Sequence, residues 1–255
     1  MKINNIENVI KNLINVFYEA GKISIDLRNK GLTKSIKSDD TPVTNGDIEV
    51  NNIILENLRK ITPEIPIVSE ETSENKNLSL NTFWLVDPID GTFDYINNKD
   101  EFTLNAGLII NKEAVAGIIY APAKGRMFYS FGNKLSYEIK NNIEYNLNNK
   151  KIDNNNIKAV SYSNSLKPEI QEIHKKLNVK EYIKMKSSLK FCVIATGEYQ
   201  VYVAEPRARE WDIAAGHAIL KNSGGVITDF DGNDIKYGKK GFMNPSIILK
   251  TSNNI

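Results

Sequence analysis

The sequence predicts an α+β fold, on three observations. Apolar residues recur at helical spacing over two N-terminal segments, short strands separated by turn-like residues fill the middle, and strands alternate with helices towards the C-terminus. Ile6, Val9, Ile10, Leu13, Ile14 and Phe17 form the apolar stripe of a first helix running towards Gly31. A second helix starts near Thr44, whose hydroxyl can cap the backbone while Asp47 sits in the first turn. Ile53, Ile54, Leu58 and Ile61 supply its core face, and Pro63 ends it.

Next, "EIPIVSEE" reads as a short strand delivering Glu70 and Glu71 at its end, and the polar "TSENKNLSLN" leads to "FWLVDPIDGTFDYI", residues 83–96. There Phe83 to Val86 form a buried strand, and Asp87, Asp90 and Gly91 are expected in a loop beyond it. The segments "FTLNAGLII", "AVAGIIYAP", "GRMFYSFG" and "LSYEIK", divided by "NKE", "AKG" and "GNK", predict an antiparallel meander. After the Asn-rich "KNNIEYNLNNKKIDNNN", strands "KAVSYS" and "YQVYVAE" alternate with helices "KPEIQEIHKKLN", "SLKFCVIATG" and "WDIAAGHAILKNSGG". This change places a domain boundary near residue 145, giving an N-terminal α+β domain, 1–145, and a C-terminal α/β domain, 146–255. No internal repeat is visible.

At 255 residues the chain can build a full core. Its 33 Lys+Arg against 31 Asp+Glu leave a net charge of +2, with no basic block or aromatic-basic stripe, so DNA is not an expected partner. The single cysteine, Cys192, cannot build a disulfide framework or zinc cluster within one chain, which fits a reducing cytoplasm. The N-terminus lacks both the apolar core of a signal peptide and the roughly 20 apolar residues of a membrane span.

The chemistry is concentrated in acids. Pro88 fixes its own φ and restrains Asp87, so Asp87 and Asp90 can converge on one point beyond the strand. Mg²⁺ takes oxygen ligands at about 2.0–2.1 Å and keeps water or substrate phosphate, so Glu70, Asp87 and Asp90 would suffice for one ion. Acidic loop residues are ordinarily solvated, and one Asp-Pro pair carries little weight. The combination carries more: Glu70-Glu71 and Asp87-x-x-Asp90-Gly-Thr each follow an apolar strand, and Asp212 opens a helix in the other half. A helical turn starting at Gly91 and Thr92 would aim free amides at a phosphate, and the Thr92 hydroxyl could orient water. Cations on one side and amide donors on the other, with a metal-activated water attacking in line, predict phosphate-ester hydrolysis.

In this order, "DDTPVTNGD", "SEE", "WLVDPIDGTFDYI" and "EWDIAAGHAI" resemble the inositol monophosphatase superfamily of lithium-sensitive, magnesium-dependent phosphatases, over roughly residues 34 to 246. Within it, "SSLKFCVIATGE", "EFTLNAGLI" and "YAP" are most similar to the bacterial CysQ-type 3'(2'),5'-bisphosphate nucleotidases. The resemblance implies a layered αβαβα sandwich with the active site between the two domains, two or three Mg²⁺ ions and inhibition by Li⁺. The implied substrate is adenosine 3',5'-bisphosphate or 3'-phosphoadenylyl sulfate, cleaved without a covalent intermediate. By matching position, Glu70, Asp87, Asp90 and the Ile89 carbonyl hold the first ions, Asp87 bridges two metals, and Asp212 completes the second site and borders the substrate. Thr92 with Asp47 and Glu70 positions the attacking water. The Gly91 and Thr92 amides bind the scissile phosphate, and Ser187 and Lys190 meet the nucleotide, Lys190 supplying charge for its second phosphate. One segment departs: "VYVAEPRAREWD" lacks the Arg-Phe-Gly-Pro-Thr-like run expected before Trp-Asp, which opens the roles of Glu205, Arg207 and Arg209.

Three other readings stand beside this one. Inositol monophosphatase or another sugar phosphatase would use the same acids. A partner-binding regulatory member is a second, against which the intact acid set argues. A haloacid-dehalogenase-like phosphatase is a third, disfavoured because the Asp pair has two intervening residues and lies past position 80. His174 and His217 sit in helical patterns far apart and read as structural. "TDFDGND" at 228–234 fails the calcium-loop spacing and reads as an Asp-Gly turn, and Gly224 and Gly225 end the preceding helix. Homodimerisation and peripheral attachment to the inner membrane are left open by the sequence.

Overall fold

Helix α1, Ile6–Lys30, and helix α2, Asn45–Ile61, flank a short hairpin of β1, Lys34–Ile36, and β2, Pro42–Thr44, in the computed structural model, which describes residues 5–37, 40–72, 74–76, 78–153 and 155–255. Asp39 of the "DDTPVTNGD" motif lies outside the described residues. The hairpin was not expected: its strands are three residues each and largely exposed, too short for a period-2 signal. The predicted stripe of α1 is buried at Val9, Ile10, Leu13 and Phe17, and Asn5 caps the first turn. Thr44 caps α2 by accepting from the Gly46 and Asp47 amides while Asp47 returns a bond to the Thr44 amide, a reciprocal capping box. The helix stops two residues before Pro63.

A seven-stranded sheet follows, made of β3, Ile67–Ser69; β4, Phe83–Asp90; β5, Thr103–Ile110; β6, Glu113–Ala121; β7, Arg126–Gly132; β8, Leu135–Lys140; and β9, Ile143–Asn146. The strands lie in that spatial order, with β3 parallel to β4 and every other pair antiparallel. The predicted meander is present, and β9 extends it into the Asn-rich stretch. The expected loop at Asp87 is corrected: pairing with β5 continues to Asp90, across a bulge where three steps on β4 match two on β5. Pro88 has no amide to give a ladder, and the bulge absorbs it. The short helix α3, Thr92–Ile96, starts immediately after.

The second sheet takes β10, Lys158–Ser161; β11, Glu181–Lys184; β12, Val201–Ala204; β13, Val226–Thr228; and β14, Ile247–Lys250, in the order β11-β10-β12-β14-β13. Its helices are α4, Pro168–Lys176; α5, Leu189–Thr196; and α6, Glu210–Asn222.

Alternation along the strands stacks these elements into layers. Trp84, Val86, Leu104 and Ile118 face a core shared with α1 and α2. Phe83, Leu85, Ile109 and Ile119 face the opposite way, into a core shared with α5, α6 and the inner residues Val160, Tyr202, Ala204 and Leu249 of the second sheet. The outer residues Ala159, Val201 and Val203 pack with Ile170 of α4. The order is therefore helix, sheet, helix, sheet, helix, the αβαβα sandwich that the resemblance implies. No helix among the described residues is long and apolar enough to cross a membrane.

Candidate active site

Parallel pairing sets β3 and β4 to end at the same edge of the sheet: Ser69 is in register with Val86, and the Glu70 amide donates to the Val86 carbonyl at 3.0 Å. Glu70 and Asp87 are thereby neighbours. Helix α6 crosses the same sheet and brings Asp212, in its first turn, to that edge. One carboxylate oxygen each from Glu70, Asp87 and Asp212 lies within 4.8 Å of the others. Burial, and then the repulsion of Glu70, Asp90 and Asp212, hold the Asp87 carboxyl well above its ordinary range; burial, Asp90 and Glu70 do the same for Asp212. Asp87 Oδ1 is buried with no hydrogen-bond donor among the described residues. An orphaned carboxylate oxygen facing two more carboxylates fits an oxygen-seeking divalent cation.

Asp90 sits beside this cluster. Its Oδ2 accepts from the Ser188 hydroxyl at 2.5 Å, and the same Ser188 oxygen is 2.9 Å from the Asp212 carbonyl, so one side chain at the start of α5 ties both acids. The sequence reading passed over Ser188 for Ser187; the Ser-Ser doublet before an apolar helix was the available signal. Lys37, also missed, reaches from beyond β1 to Glu70 at 2.9 Å and Glu71 at 2.6 Å. Burial, only partly offset by Lys37, pushes the Glu71 carboxyl up to about 7.

Opposite the acids, Gly91 takes the left-handed conformation at φ 97°, and a Cβ there would lie 2.9 Å from the Glu101 carbonyl oxygen, so glycine is required. This turn starts α3 and aims Thr92 back at the site. The Thr92 Oγ1 lies 3.2 Å from Asp47 Oδ1 and 3.1 Å from the Ile89 carbonyl oxygen. Asp47 is buried at the start of α2, and its Oδ2 accepts from the Thr44 amide at 2.7 Å and the Thr44 hydroxyl at 2.6 Å. Burial raises the Asp47 carboxyl, against the bonds from Thr44.

A cavity opens beside Asp90, Gly91 and Asp212, and Ser187, Lys190 and Arg207 line it as well. Lys190 is no surface residue: it is buried, its ammonium donates to the Ser187 carbonyl, and burial pushes it down to about 8. Arg209 donates to the Gly241 carbonyl at 2.7 Å and lines a second cleft with Lys37, Glu70 and Asp212. His217 bonds the Tyr237 hydroxyl at 2.9 Å inside the core, and Asp229 closes its turn on the Asp231 and Asn233 amides, so these two motifs are structural.

Clustered carboxylates at one end of a sheet, facing a helical turn and a threonine–aspartate pair within a five-layer sandwich, define a metal-dependent phosphatase. The inositol monophosphatase family model matches residues 5–254, and the chain belongs to that family. It is 35% identical over 212 residues to the 3'(2'),5'-bisphosphate nucleotidase CysQ of Salmonella typhimurium, covering 82% of this chain and 85% of that one. It is also 35% identical over 249 residues to the enzyme of the same name from Buchnera aphidicola, covering 92% and 90%. Among solved structures, CysQ from Bacteroides thetaiotaomicron superposes with a TM-score of 0.76 at 26% identity, over 93% of this chain and 94% of that one. The Thermotoga maritima IMPase shares the fold, with a TM-score of 0.74 at 21% identity over 96% and 92%.

Proposed function

We propose that this protein is a 3'(2'),5'-bisphosphate nucleotidase that hydrolyses adenosine 3',5'-bisphosphate to AMP and phosphate, with 3'-phosphoadenylyl sulfate as a related substrate. The observation that carries it is the Thr92–Asp47 pair set against the Glu70, Asp87 and Asp212 cluster at the mouth of a cavity. The relatives that share this chain over most of its length carry that activity in their names.

Glu70, Asp87, Asp90, Asp212 and the Ile89 carbonyl would hold Mg²⁺, drawn from residues 1–145 and, for Asp212, from 146–255. Bound there, the cations supply activation of water and neutralisation of the phosphoryl charge. The rest falls to the chain. Thr92 Oγ1 donates a hydrogen bond to Asp47 Oδ1, which leaves the threonine lone pair to accept from the attacking water and fix that water's approach to phosphorus. As the water oxygen bonds to phosphorus, the ester P–O bond breaks, the water proton passes to Thr92 and the threonine proton to Asp47, kept in place by the two bonds from Thr44, and the departing nucleoside oxygen takes a proton from solvent to leave as the hydroxyl of AMP. Glu70 borders the same water from the β3 end. The Gly91 and Thr92 amides, at the start of α3, receive the phosphate oxygens, and Ser187 and Lys190 border the nucleoside.

The test is phosphate release from adenosine 3',5'-bisphosphate and inositol 1-phosphate, side by side, with Mg²⁺, with chelator and with Li⁺. Preference for the nucleotide, abolished by chelator and inhibited by Li⁺, is the expected result. Preference for inositol 1-phosphate would reassign the protein to the sugar-phosphatase reading on the same scaffold.

A further inference from the structure

The reach of the cavity beyond the metal cluster is set by the segment that departs from the family pattern. Strands β10 and β12 are parallel neighbours, so the residues following them, Tyr162 and Glu205 to Arg207, emerge at the same edge. There they form a ladder. Glu205 accepts from the Tyr162 hydroxyl and pairs with Lys167 at 2.9 Å, which fixes the tyrosine ring. The Arg207 guanidinium lies over that ring, 3.9 Å from its centroid. Tyr162, Tyr202, Glu205 and Arg207 all line the cavity that Asp90 and Asp212 border.

Three cations line this cavity, Lys186, Lys190 and Arg207, and the two that lie against its tyrosines, Lys190 and Arg207, compete for the part of anion receptor. Lys190 is buried, one of its three ammonium donors goes to the Ser187 carbonyl, and the ammonium lies 5.4 Å from the centroid of the Tyr202 ring. Arg207 is exposed, and Tyr162 takes one face of its guanidinium while no carboxylate pairs with it among the described residues. Its N–H groups form a planar fork that suits two oxygens of one phosphate, held by a ring whose orientation Glu205 fixes.

Resting on the nucleotidase reading, we infer that Arg207, stacked on Tyr162, is the specificity-determining residue that binds the second, non-reacting phosphate of the substrate. The role assigned to Lys190 by resemblance passes to an arginine from a segment in which this chain differs.

The experiment compares kcat and KM for adenosine 3',5'-bisphosphate and adenosine 3'-phosphate, which share the reacting ester and differ in the second phosphate. It uses the wild type, Arg207→Ala, Arg207→Lys and, as a control for loss of cavity charge, Lys186→Gln. Thermal melting checks that each variant is folded. The expected result is that Arg207→Ala lowers the ratio of kcat/KM, bisphosphate over monophosphate, by tenfold or more through KM. Arg207→Lys is expected to lower it less, and Lys186→Gln to keep the wild-type ratio. A wild-type preference for the bisphosphate that Arg207→Ala leaves intact, or that Lys186→Gln lowers equally, overturns the assignment to Arg207 alone. A wild type that ignores the second phosphate, or prefers inositol 1-phosphate, overturns the nucleotidase reading and takes this inference with it.

Discussion

Replacing Asp87 with Asn tests the cluster most directly, because it removes one charge and keeps the shape. In the metal-free protein Asp87 is the least compensated acid: it is buried, repelled by Glu70, Asp90 and Asp212, and has one oxygen without a donor. A carboxyl whose folded-state pKa is raised binds protons more readily folded than unfolded. It therefore contributes stability that is fully present below its unfolded pKa and is lost as pH rises through the folded value. Asp87, Asp212 and Glu71, the last at about 7, all shift this way, so metal-free wild type should lose stability as pH climbs from the ordinary carboxylate range past neutrality. Bound cation reverses this. At a hundredfold excess over its Kd a ligand adds about 2.7 kcal/mol, which at about 2–4 °C per kcal/mol for a chain of this size is a rise of about 5–11 °C in Tm. Asp87→Asn should melt at or above wild type in chelator, gain about 1 °C or less from Mg²⁺, and show no phosphate release. Differential scanning calorimetry with and without Mg²⁺, at pH 6 and pH 8, reads all of this. A full Mg²⁺ shift in Asp87→Asn would refute the metal assignment, whatever happened to turnover.

Two further substitutions separate chemistry from assembly. Thr92→Val keeps the volume and removes the hydroxyl, so kcat should fall by about 10²–10⁴-fold with little change in KM or in the Mg²⁺-induced Tm shift, and steady-state kinetics within threefold of wild type would remove Thr92 from the water-positioning role. Gly117→Ala adds a Cβ that would stand 2.7 Å from Ala215 Cα and 2.8 Å from the Ala215 carbonyl oxygen, so it should cost about 1–3 kcal/mol and raise the Mg²⁺ concentration giving half-maximal rate, because α6 carries Asp212; unchanged Tm and metal requirement would contradict that coupling.

Much of this site was legible as pattern because its residues stand at ends of elements, where apolar runs give way to acids. Glu70 after "IPIVS" and Asp47 in the first turn of α2 are local signals, and each falls where the pattern puts it; Asp87 follows "FWLV" but lies within the strand and not in a loop. The bulge at Asp87 to Asp90 was not legible, since Pro88 reads as the end of a ladder and only the partner strand reveals that pairing resumes. Lys190 was expected to meet the nucleotide, and its burial was not foreseen: "LKFCVIAT" is apolar on every side, and a helix enclosed between two sheets takes its lysine in with it. Lys37, Ser188, Tyr162 and Tyr202 come from four separate elements, and their meeting depends on the layer order, which no local spacing encodes.

The acids are held in a common way. Asp212 gives one oxygen to the Arg209 amide at the start of α6, Asp47 gives Oδ2 to Thr44 at the start of α2, Asp90 gives Oδ2 to Ser188 at the start of α5, and Glu70 gives Oε1 to Lys37. Each is oriented through one oxygen and presents the other, and three of them do so at the positive end of a helix, which offsets part of their mutual repulsion. Asp87 is the exception: it is fixed by the β4 bulge alone and keeps an oxygen without a donor. The acid with the weakest hydrogen-bond compensation is thus the one for which a bound cation makes the largest difference. Capping bonds that stabilise α2 and α6 as helices also orient Asp47 and Asp212 for chemistry, so removing Thr44 would loosen a helix end and a proton acceptor together.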